Sequence, residues 1–142
     1  MDKPLPVDKF IAIYQKLNST NLDLLSEIYS PDIAFTDPMH SINGLVALRH
    51  YFANLYSNVK HCQFEISHSY TCGDSAFIYW TMHYAHAKLA SGNTISVAGH
   101  SKLLFADDKI VEHRDYFDVG ALLYQHIPLL GTVIKFINKR AS

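Results

Sequence analysis

The hydrophobic residues of this chain change their spacing near residue 60. Before that point apolar residues recur every three or four positions, as Phe10, Ile13, Tyr14 and Leu17 do, which is the spacing of an amphipathic helix. Beyond it, apolar and polar residues alternate in long runs separated by short turn sequences, a pattern typical of antiparallel strands joined by hairpins. The chain is therefore predicted to form an α+β domain, with N-terminal helices packed on one face of an antiparallel sheet.

This pattern predicts three helices, one short strand and four long strands. Pro6 suits the first turn of the first helix, Asn21 is placed to cap the second, and the third begins after Asn43-Gly44. The short strand is predicted at 33–36, and the four long strands at 62–70, 76–89, 94–105 and 110–117. From about residue 119 the chain is again predicted to be helical, with a break at Pro128. Residues 1–142 are predicted to form a single domain with this helical extension.

Composition and charge exclude several classes of protein. The hydrophobic fraction is 49% and the net charge is −1, so the chain is neither disordered nor drawn to nucleic acid by its overall field. It has no glycine-rich loop of the kind that holds nucleotide phosphates, and we expect no cofactor. No apolar run approaches the ~18 residues of a membrane span, and the start lacks the apolar run of a signal peptide, which favours the cytoplasm. Cys62 and Cys72 are expected to be reduced and buried, since they are too far apart on one strand to form a disulfide.

Two segments are similar to those of a known superfamily. The first is Phe35-Thr36-Asp37-Pro38 with the helix that follows it, and the second is Lys109-Ile110 with Arg114-Asp115-Tyr116-Phe117-Asp118. Together with the order of helices and strands, they resemble the nuclear transport factor 2-like superfamily, which includes ketosteroid isomerases, limonene-epoxide hydrolases and SnoaL-type polyketide cyclases. The resemblance covers roughly residues 7–125. It implies a cone-shaped, cystatin-like roll with a small-molecule pocket inside a curved sheet, and a homodimer formed through the outer face of that sheet.

The resemblance transfers some catalytic residues and not others. Asp37 falls where the ketosteroid isomerases have the aspartate that takes a proton from the carbon beside a ketone. Asp115 matches one of the two catalytic acids of the epoxide hydrolases. The other catalytic positions of the two enzymes hold Ile13, Ser101, Met82 and Tyr84, so neither catalytic set is complete.

Alternation along the strands predicts which side chains face the pocket. If Asp115 faces inward, so does every second residue of its strand, and the same face continues on the neighbouring strands. The predicted ligand-binding residues are Phe35, Met82, Tyr84, His86, Val97, Ser101, His113 and Phe117. Gly99 lies on the same face and is expected to leave room for a ligand. An apolar wall of this kind desolvates a carboxylate and so strengthens it as a general base.

Each candidate also has a purely structural explanation. Asp37 precedes a proline and can simply end its strand in a turn, and Asp115 can form a buried pair with an arginine or with Tyr84. For His86 and His113, a hydrogen-bonded interior histidine is the favoured interpretation. A metal site made from these two histidines and Asp115 is disfavoured because their spacing matches no zinc motif, so no metal is expected.

The segment 129–140 combines apolar residues with Lys135, Lys139 and Arg140. This composition is found in helices that lie on membrane surfaces. Packing over the mouth of the cone, or against a second subunit, is nevertheless the favoured interpretation because the segment is short. Over the mouth, it would act as a lid that restricts the pocket to a small apolar ligand.

The sequence leaves two functions open. In the first, the domain binds a small apolar carbonyl compound and catalyses an isomerisation or a cyclisation, with Asp37 as the base. Tyr84, His86 or a protonated Asp115 would donate to the developing oxyanion. In the second, it is a non-catalytic module that binds a ligand or assembles as a dimer. Whether the chain is an enzyme stays open because both catalytic sets are incomplete. The expected partners are a small apolar molecule and a second copy of the chain.

Overall fold

The computed structural model describes residues 5–127 and 130–142. Within them, the four α-helices are α1 (Pro6–Lys16), α2 (Leu45–Asn58), α3 (Val119–Leu122) and α4 (Leu130–Ala141). The six strands are β1 (Tyr29–Thr36), β2 (Ser41–Asn43), β3 (His61–Cys72), β4 (Ser75–Ala85), β5 (Ile95–Ala106) and β6 (Lys109–Phe117). Short 3₁₀ helices occupy Leu22–Glu27, Ala90–Gly92 and Tyr124–His126.

The six strands form one curved, unclosed sheet in the order β2-β1-β6-β5-β4-β3. Neighbouring strands are antiparallel except β1 and β6, which run parallel. α1 contacts β3 and α2 contacts β1, so both helices cover the same concave face and bury the main hydrophobic core against it. The predicted α+β class, with helices packed on a curved sheet, is confirmed.

The first helix forms as its spacing predicts. α1 begins at Pro6, which has no N–H to leave unpaired in the first turn and a ring that already fixes a helical φ. Phe10, Ile13 and Tyr14 lie on one stripe and are almost completely buried. The helix is held by this apolar stripe, because no side chain caps its first turn.

Pairing between distant strands moves two of the predicted boundaries. β1 begins at Tyr29 rather than at residue 33, because Tyr29 pairs with Ile110 of the parallel strand β6. The predicted loop before α2 contains the three-residue strand β2, which pairs with the end of β1. The predicted second helix is a 3₁₀ helix that Asn21 does not cap. The Asn21 side chain instead accepts from the Asn18 N–H and donates to the Lys16 carbonyl.

The C-terminal part of the chain contains two separate helices, α3 and α4. The predicted break at Pro128 and the first predicted residue of the last segment, Leu129, lie outside the described residues. β4 ends at Ala85 rather than at 89, because the chain turns there toward the 3₁₀ helix Ala90–Gly92. Among the residues that the structure describes, no helix is long and apolar enough to cross a membrane.

Gly99 lets the ring of Trp80 lie directly on the sheet. The two residues are cross-strand partners on β5 and β4, and Trp80 is only 5% exposed. A Cβ atom at position 99 would overlap the Trp80 ring and would lie 2.7 Å from the Tyr116 carbonyl oxygen. The space expected to receive a ligand is therefore filled by the indole ring, which becomes part of the cavity wall.

We expect Gly99→Ala to destabilise the domain, because neither the indole ring nor the Tyr116 carbonyl can move without disturbing the sheet. Overpacking of this kind costs roughly 1–3 kcal/mol. Thermal unfolding followed by circular dichroism should show a lower Tm than for Ala98→Ser, a matched change at the exposed neighbouring position. Equal Tm values for the two variants would contradict the close packing of Trp80.

Candidate functional site

The concave face of the sheet and the helices above it enclose a cavity of about 530 Å³. Aromatic and aliphatic side chains make up most of its wall, and the exposed side chains of Met39 and His40 lie at its rim. The residues predicted for the site that line it are Phe35, Asp37, Met82, Tyr84, His86, Asp115 and Phe117. Two carboxylates, one phenol and one imidazole of this set therefore share one apolar cavity.

Val97, Ser101 and His113 do not line the cavity, in contrast to the ligand-binding role expected for them. Val97 packs in a small cluster with Tyr84, and Ser101 and His113 are 2% and 0% exposed. Alternation correctly assigns Ser101 and His113 to the same face as Asp115. Alternation does not predict how far a side chain lies from the cavity. Both side chains are buried behind the Asp115 carboxylate and form hydrogen bonds to it.

Asp115 is held by two buried donors on one of its oxygens. Ser101 Oγ and His113 Nε2 lie 2.5 and 2.6 Å from Oδ1, and Ser101 in turn accepts from Trp80 Nε1 at 2.9 Å. Oδ2 has no hydrogen-bond partner among the described residues. The Asp115 side chain is 16% exposed and lines the cavity. Its partners are a serine and a histidine rather than the arginine or Tyr84 expected from the sequence.

The hydrogen-bonded chain continues from His113 into the core. His113 Nδ1 lies 2.6 Å from the Tyr29 hydroxyl, which lies 2.5 Å from the hydroxyl of Tyr14 on α1. Burial holds the pKa of both tyrosines well above 10, and the negative charge of Asp115 adds to the shift. Both phenols therefore stay protonated. A neutral His113 with its proton on Nε2 satisfies every group, since Tyr14 donates to Tyr29, Tyr29 to Nδ1, and Nε2–H to Asp115.

Asp37 lies at the opposite end of β1, in a turn that it organises itself. Its Oδ1 accepts from the backbone N–H groups of Met39 and His40 at 2.8 and 2.7 Å. His40 Nδ1 lies 3.1 Å from Oδ1, and the Tyr51 hydroxyl donates to Oδ2 at 2.8 Å. The Asp37 side chain is only 2% exposed. The burial of Tyr51, and then the negative charge of Asp37, raise the pKa of Tyr51 well above 10. The turn expected from the Asp-Pro sequence is thus present, and the carboxylate also faces the cavity.

Tyr84 and His86 line the cavity near the C-terminal extension. The Tyr84 hydroxyl donates to the Leu122 carbonyl oxygen, and burial raises its pKa to about 12. This bond ties α3 to the sheet and places Leu122 and Leu123 in the cavity wall. His86 Nδ1 accepts from the Lys88 N–H at 3.0 Å, so a neutral His86 carries its proton on Nε2.

The two cysteines of β3 have different environments. Cys62 is half-buried in the cavity wall, and this burial raises the pKa of its thiol to about 12. Cys72, expected to be buried, is exposed because it lies at the last residue of the strand. Both thiols are free.

We expect only one thiol of the folded protein to react rapidly with Ellman's reagent at pH 8. A pKa of about 12 leaves roughly one Cys62 in ten thousand as the reactive thiolate at that pH. The fast phase should therefore disappear in Cys72→Ser and persist in Cys62→Ser. A fast phase that survives in Cys72→Ser would show that Cys62 is neither desolvated nor shielded.

Several cavity residues were missed by reasoning from the sequence. His40 and Tyr51 contact Asp37, and Trp80 and Tyr14 also line the cavity. Trp80 has the same strand parity as Met82, so extending the alternation by one step would have found it. His40 follows Asp37 by three residues, the spacing at which a turn returns a side chain to its partner, but that signal is common in loops.

Metal chemistry has no evident support in the geometry. The described residues contain no group of three or more His, Cys, Asp or Glu side chains placed to hold a metal ion. His86, His113 and Asp115, the set considered from the sequence, do not converge, because His113 uses both ring nitrogens for Tyr29 and Asp115.

A family model for the SnoaL-like domain matches residues 10–113, which is most of the chain. The match includes Asp37 and ends two residues before Asp115. The chain belongs to the SnoaL-like domain family. The resemblance found from the sequence is thereby confirmed. Among curated proteins, none matches the chain significantly.

Solved structures share the fold of this SnoaL-like domain at low sequence identity. A protein described as a SnoaL-like polyketide cyclase, from Jannaschia sp. CCS1, has a TM-score of 0.76 and 15% identity, covering 91% of this chain and 97% of its own. A protein with a ketosteroid isomerase-like fold from Catenulispora acidiphila DSM 44928, in complex with trimethylamine, has a TM-score of 0.75 and 18% identity, with coverages of 89% and 96%. An LEH-like epoxide hydrolase from M. tuberculosis has a TM-score of 0.65 and 17% identity, with coverages of 80% and 80%. These identities establish the fold alone.

Proposed function

We propose that this SnoaL-like domain binds a small apolar molecule with a carbonyl group in its cavity and moves a proton on that molecule, as an isomerase or a cyclase does. The observation that carries the proposal is the state of Asp115. One of its oxygens is fixed by two buried donors, the other has no partner in the described part of the chain, and the side chain lines the cavity. This is the arrangement of a carboxylate that is positioned to accept a proton from a bound molecule.

The surroundings of Asp115 support a role as base. Every hydrogen bond of the network is directed toward Oδ1, so a proton that arrives from the cavity binds at Oδ2 and can return from there. The wall beside it includes the rings of Trp80 and Phe117, whose centroids are 6.3 Å apart. An apolar wall excludes water, which would otherwise compete for the carboxylate and quench a carbanion.

Asp37, the base expected from the sequence, is better suited to positioning. Its two oxygens already accept from two backbone N–H groups and from Tyr51, and its side chain is far less exposed than that of Asp115. Asp37 contacts Nδ1 of His40, so Nε2 of that ring points away from Asp37 at the cavity rim. We therefore assign Asp37 to the support of His40 and Tyr51, and proton transfer to Asp115.

His86 offers a free donor at a second position in the cavity wall. The hydroxyls of Tyr84 and Tyr51 are engaged with Leu122 and Asp37, whereas His86 uses only Nδ1 among the described residues. Its Nε2–H is therefore available to a second polar group of a longer ligand, because His86 lies eight residues along the chain from Ile78, the β4 residue level with Asp115. At its own end of the cavity, Asp115 removes a proton from the carbon beside a carbonyl group, which gives an enolate. Return of the proton to a different carbon completes an isomerisation, and attack of the enolate on a second carbonyl completes a cyclisation.

The experiment uses Trp80, the single tryptophan of the chain, as a reporter in the cavity wall. Titration with 2-tetralone, a compact apolar ketone, should change the Trp80 emission. Proton NMR in D₂O should show protein-dependent deuterium incorporation beside the carbonyl. In Asp115→Asn we expect exchange to fall by roughly 10²-fold or more, while the Trp80 titration is retained. His86→Gln should slow exchange far less, because the carboxylate base remains and His86 lies away from it along the sheet.

Asp37→Asn and Asp74→Asn provide the comparisons. Asp74 lies in the turn between β3 and β4, far from the cavity, and its substitution should change neither signal. Asp37→Asn should weaken ketone binding more than it slows exchange at saturation. Binding without exchange in the unmodified protein would favour the non-catalytic ligand-binding module, and exchange lost in Asp37→Asn but not in Asp115→Asn would reverse the assignment of the base.

The outer face of the sheet supports the proposed homodimer. Tyr79, His100 and Tyr116 are cross-strand neighbours whose rings stack at 5.2 and 4.8 Å, and the Arg114 guanidinium lies 5.1 Å from the Tyr116 ring. The two tyrosines are 41% and 39% exposed. Such a row of exposed aromatic residues is typical of interface centres.

We expect Tyr79→Ser with Tyr116→Ser to convert a dimer into a monomer, measured by size-exclusion chromatography with light scattering. Removing two exposed rings takes apolar area out of the interface without opening the core. Val46→Ser, at an exposed position on α2, is the matched control and should leave the mass unchanged. A monomeric unmodified protein at micromolar concentration would refute this part of the proposal.

A further inference from the structure

Helix α4 presents an apolar stripe to solvent. Leu130, Val133, Phe136 and Ile137 are between 42% and 60% exposed, although all are large hydrophobic residues. Leu130, Val133 and Ile137 follow the i, i+3, i+7 spacing of one helix face, and Phe136 extends that face on one side. None of residues 130–142 lines the cavity, so α4 does not form a lid over it, which is one of the two placements favoured from the sequence.

The outward orientation of the stripe follows from how α4 is seated. The Gly131 N–H donates to the Ile127 carbonyl at 2.7 Å, and a Cβ atom at position 131 would lie 2.9 Å from the Gln125 carbonyl carbon. Gly131 is buried and Ile134, one turn later, is half-buried. The helix therefore packs on the backbone of 124–127 through its Gly131–Ile134 side, and the apolar stripe faces away.

The charge of this end of the chain differs from that of the rest. The chain has 12 Lys and Arg residues and 13 Asp and Glu residues. Lys135, Lys139 and Arg140 lie in 119–142 and no acidic side chain does, which leaves nine cations against all 13 acidic residues elsewhere. The Arg140 guanidinium lies 5.6 Å from the Phe136 ring, so positive charge and the apolar stripe meet at the end of the helix.

We propose that α4 docks on an anionic lipid bilayer, with its apolar stripe below the headgroups and the side chains of Lys139 and Arg140 against lipid phosphates. An exposed apolar face on a short helix with three cations and no carboxylate is the pattern of an interfacial helix. Long basic side chains reach the headgroups while their aliphatic stems cover apolar surface. The segment on which α4 packs follows α3, which supplies Leu122 to the cavity wall, so docking brings that wall close to the bilayer. This inference does not depend on the proposed proton transfer.

The test is flotation of the full chain with extruded vesicles of phosphatidylcholine alone or with one quarter phosphatidylglycerol. We expect binding to the anionic vesicles that weakens as salt is raised, and little binding to the zwitterionic ones. Val133→Ser with Ile137→Ser should weaken partitioning by about tenfold or more, and Lys139→Gln with Arg140→Gln should do the same on anionic vesicles only. Val46→Ser and Lys102→Gln, both exposed elsewhere, are the controls and should bind as the unmodified chain does.

Circular dichroism and Tm of each variant establish that it is folded, and light scattering reports its mass. Equal binding of the unmodified protein to both kinds of vesicle, or to neither, would overturn the proposal. So would a fall in mass for Val133→Ser with Ile137→Ser, which would show that a second copy of the chain covers the stripe. Loss of binding in the control variants to the same extent would assign the interaction to another surface.

Discussion

The fold and its candidate site depend on one buried hydrogen-bonded chain that ends at Asp115. It passes from Tyr14 on α1 through Tyr29 on β1 to His113 on β6, so it joins the helical layer to the two strands that run parallel. Three polar side chains in an apolar core would each cost free energy if left unpaired, and here each has a partner. Within this network, Asp115 Oδ2 has no partner among the described residues, and the Asp115 side chain lines the cavity.

This arrangement explains why the same residues serve stability and chemistry. A network that is fully satisfied on its buried side fixes the carboxylate in one orientation, and a carboxylate fixed in one orientation need not reorganise when a proton reaches it. Removing His113 would take one hydrogen-bond partner from Tyr29 and one from Asp115 inside the core, so a loss of activity there would not by itself distinguish a catalytic role from a structural one. Asp115→Asn keeps the shape and an oxygen acceptor, which is why the assignment of the base depends on that variant.

The order of the longer elements was predictable from the sequence, but the short strand β2, the exact ends of the strands and the depth of the site were not. The stripe of α1 and the alternation in β3–β6 depend only on the period of the local backbone. By contrast, β1 starts at Tyr29 because of Ile110, which lies far away in the sequence. Alternation identifies the face of His113 and not its distance from the cavity, since that distance depends on which neighbours are larger. Gly99 shows the same limit, because the space beside a glycine belongs to whichever side chain can fill it, here Trp80.

Helix α4 shows that a sequence pattern also does not identify the partner that covers an apolar surface. Its spacing correctly predicts an amphipathic helix, yet an apolar stripe specifies only that something apolar should cover it, and the same pattern suits a lid, a subunit contact or a bilayer. What decides between them is the other side of the helix. Because Gly131 has no side chain, the helix backbone lies directly against the backbone of Gln125, and the helix packs through this side. The stripe is then turned outward, away from the cavity, and the concentration of positive charge around Arg140 selects an anionic surface over a neutral one.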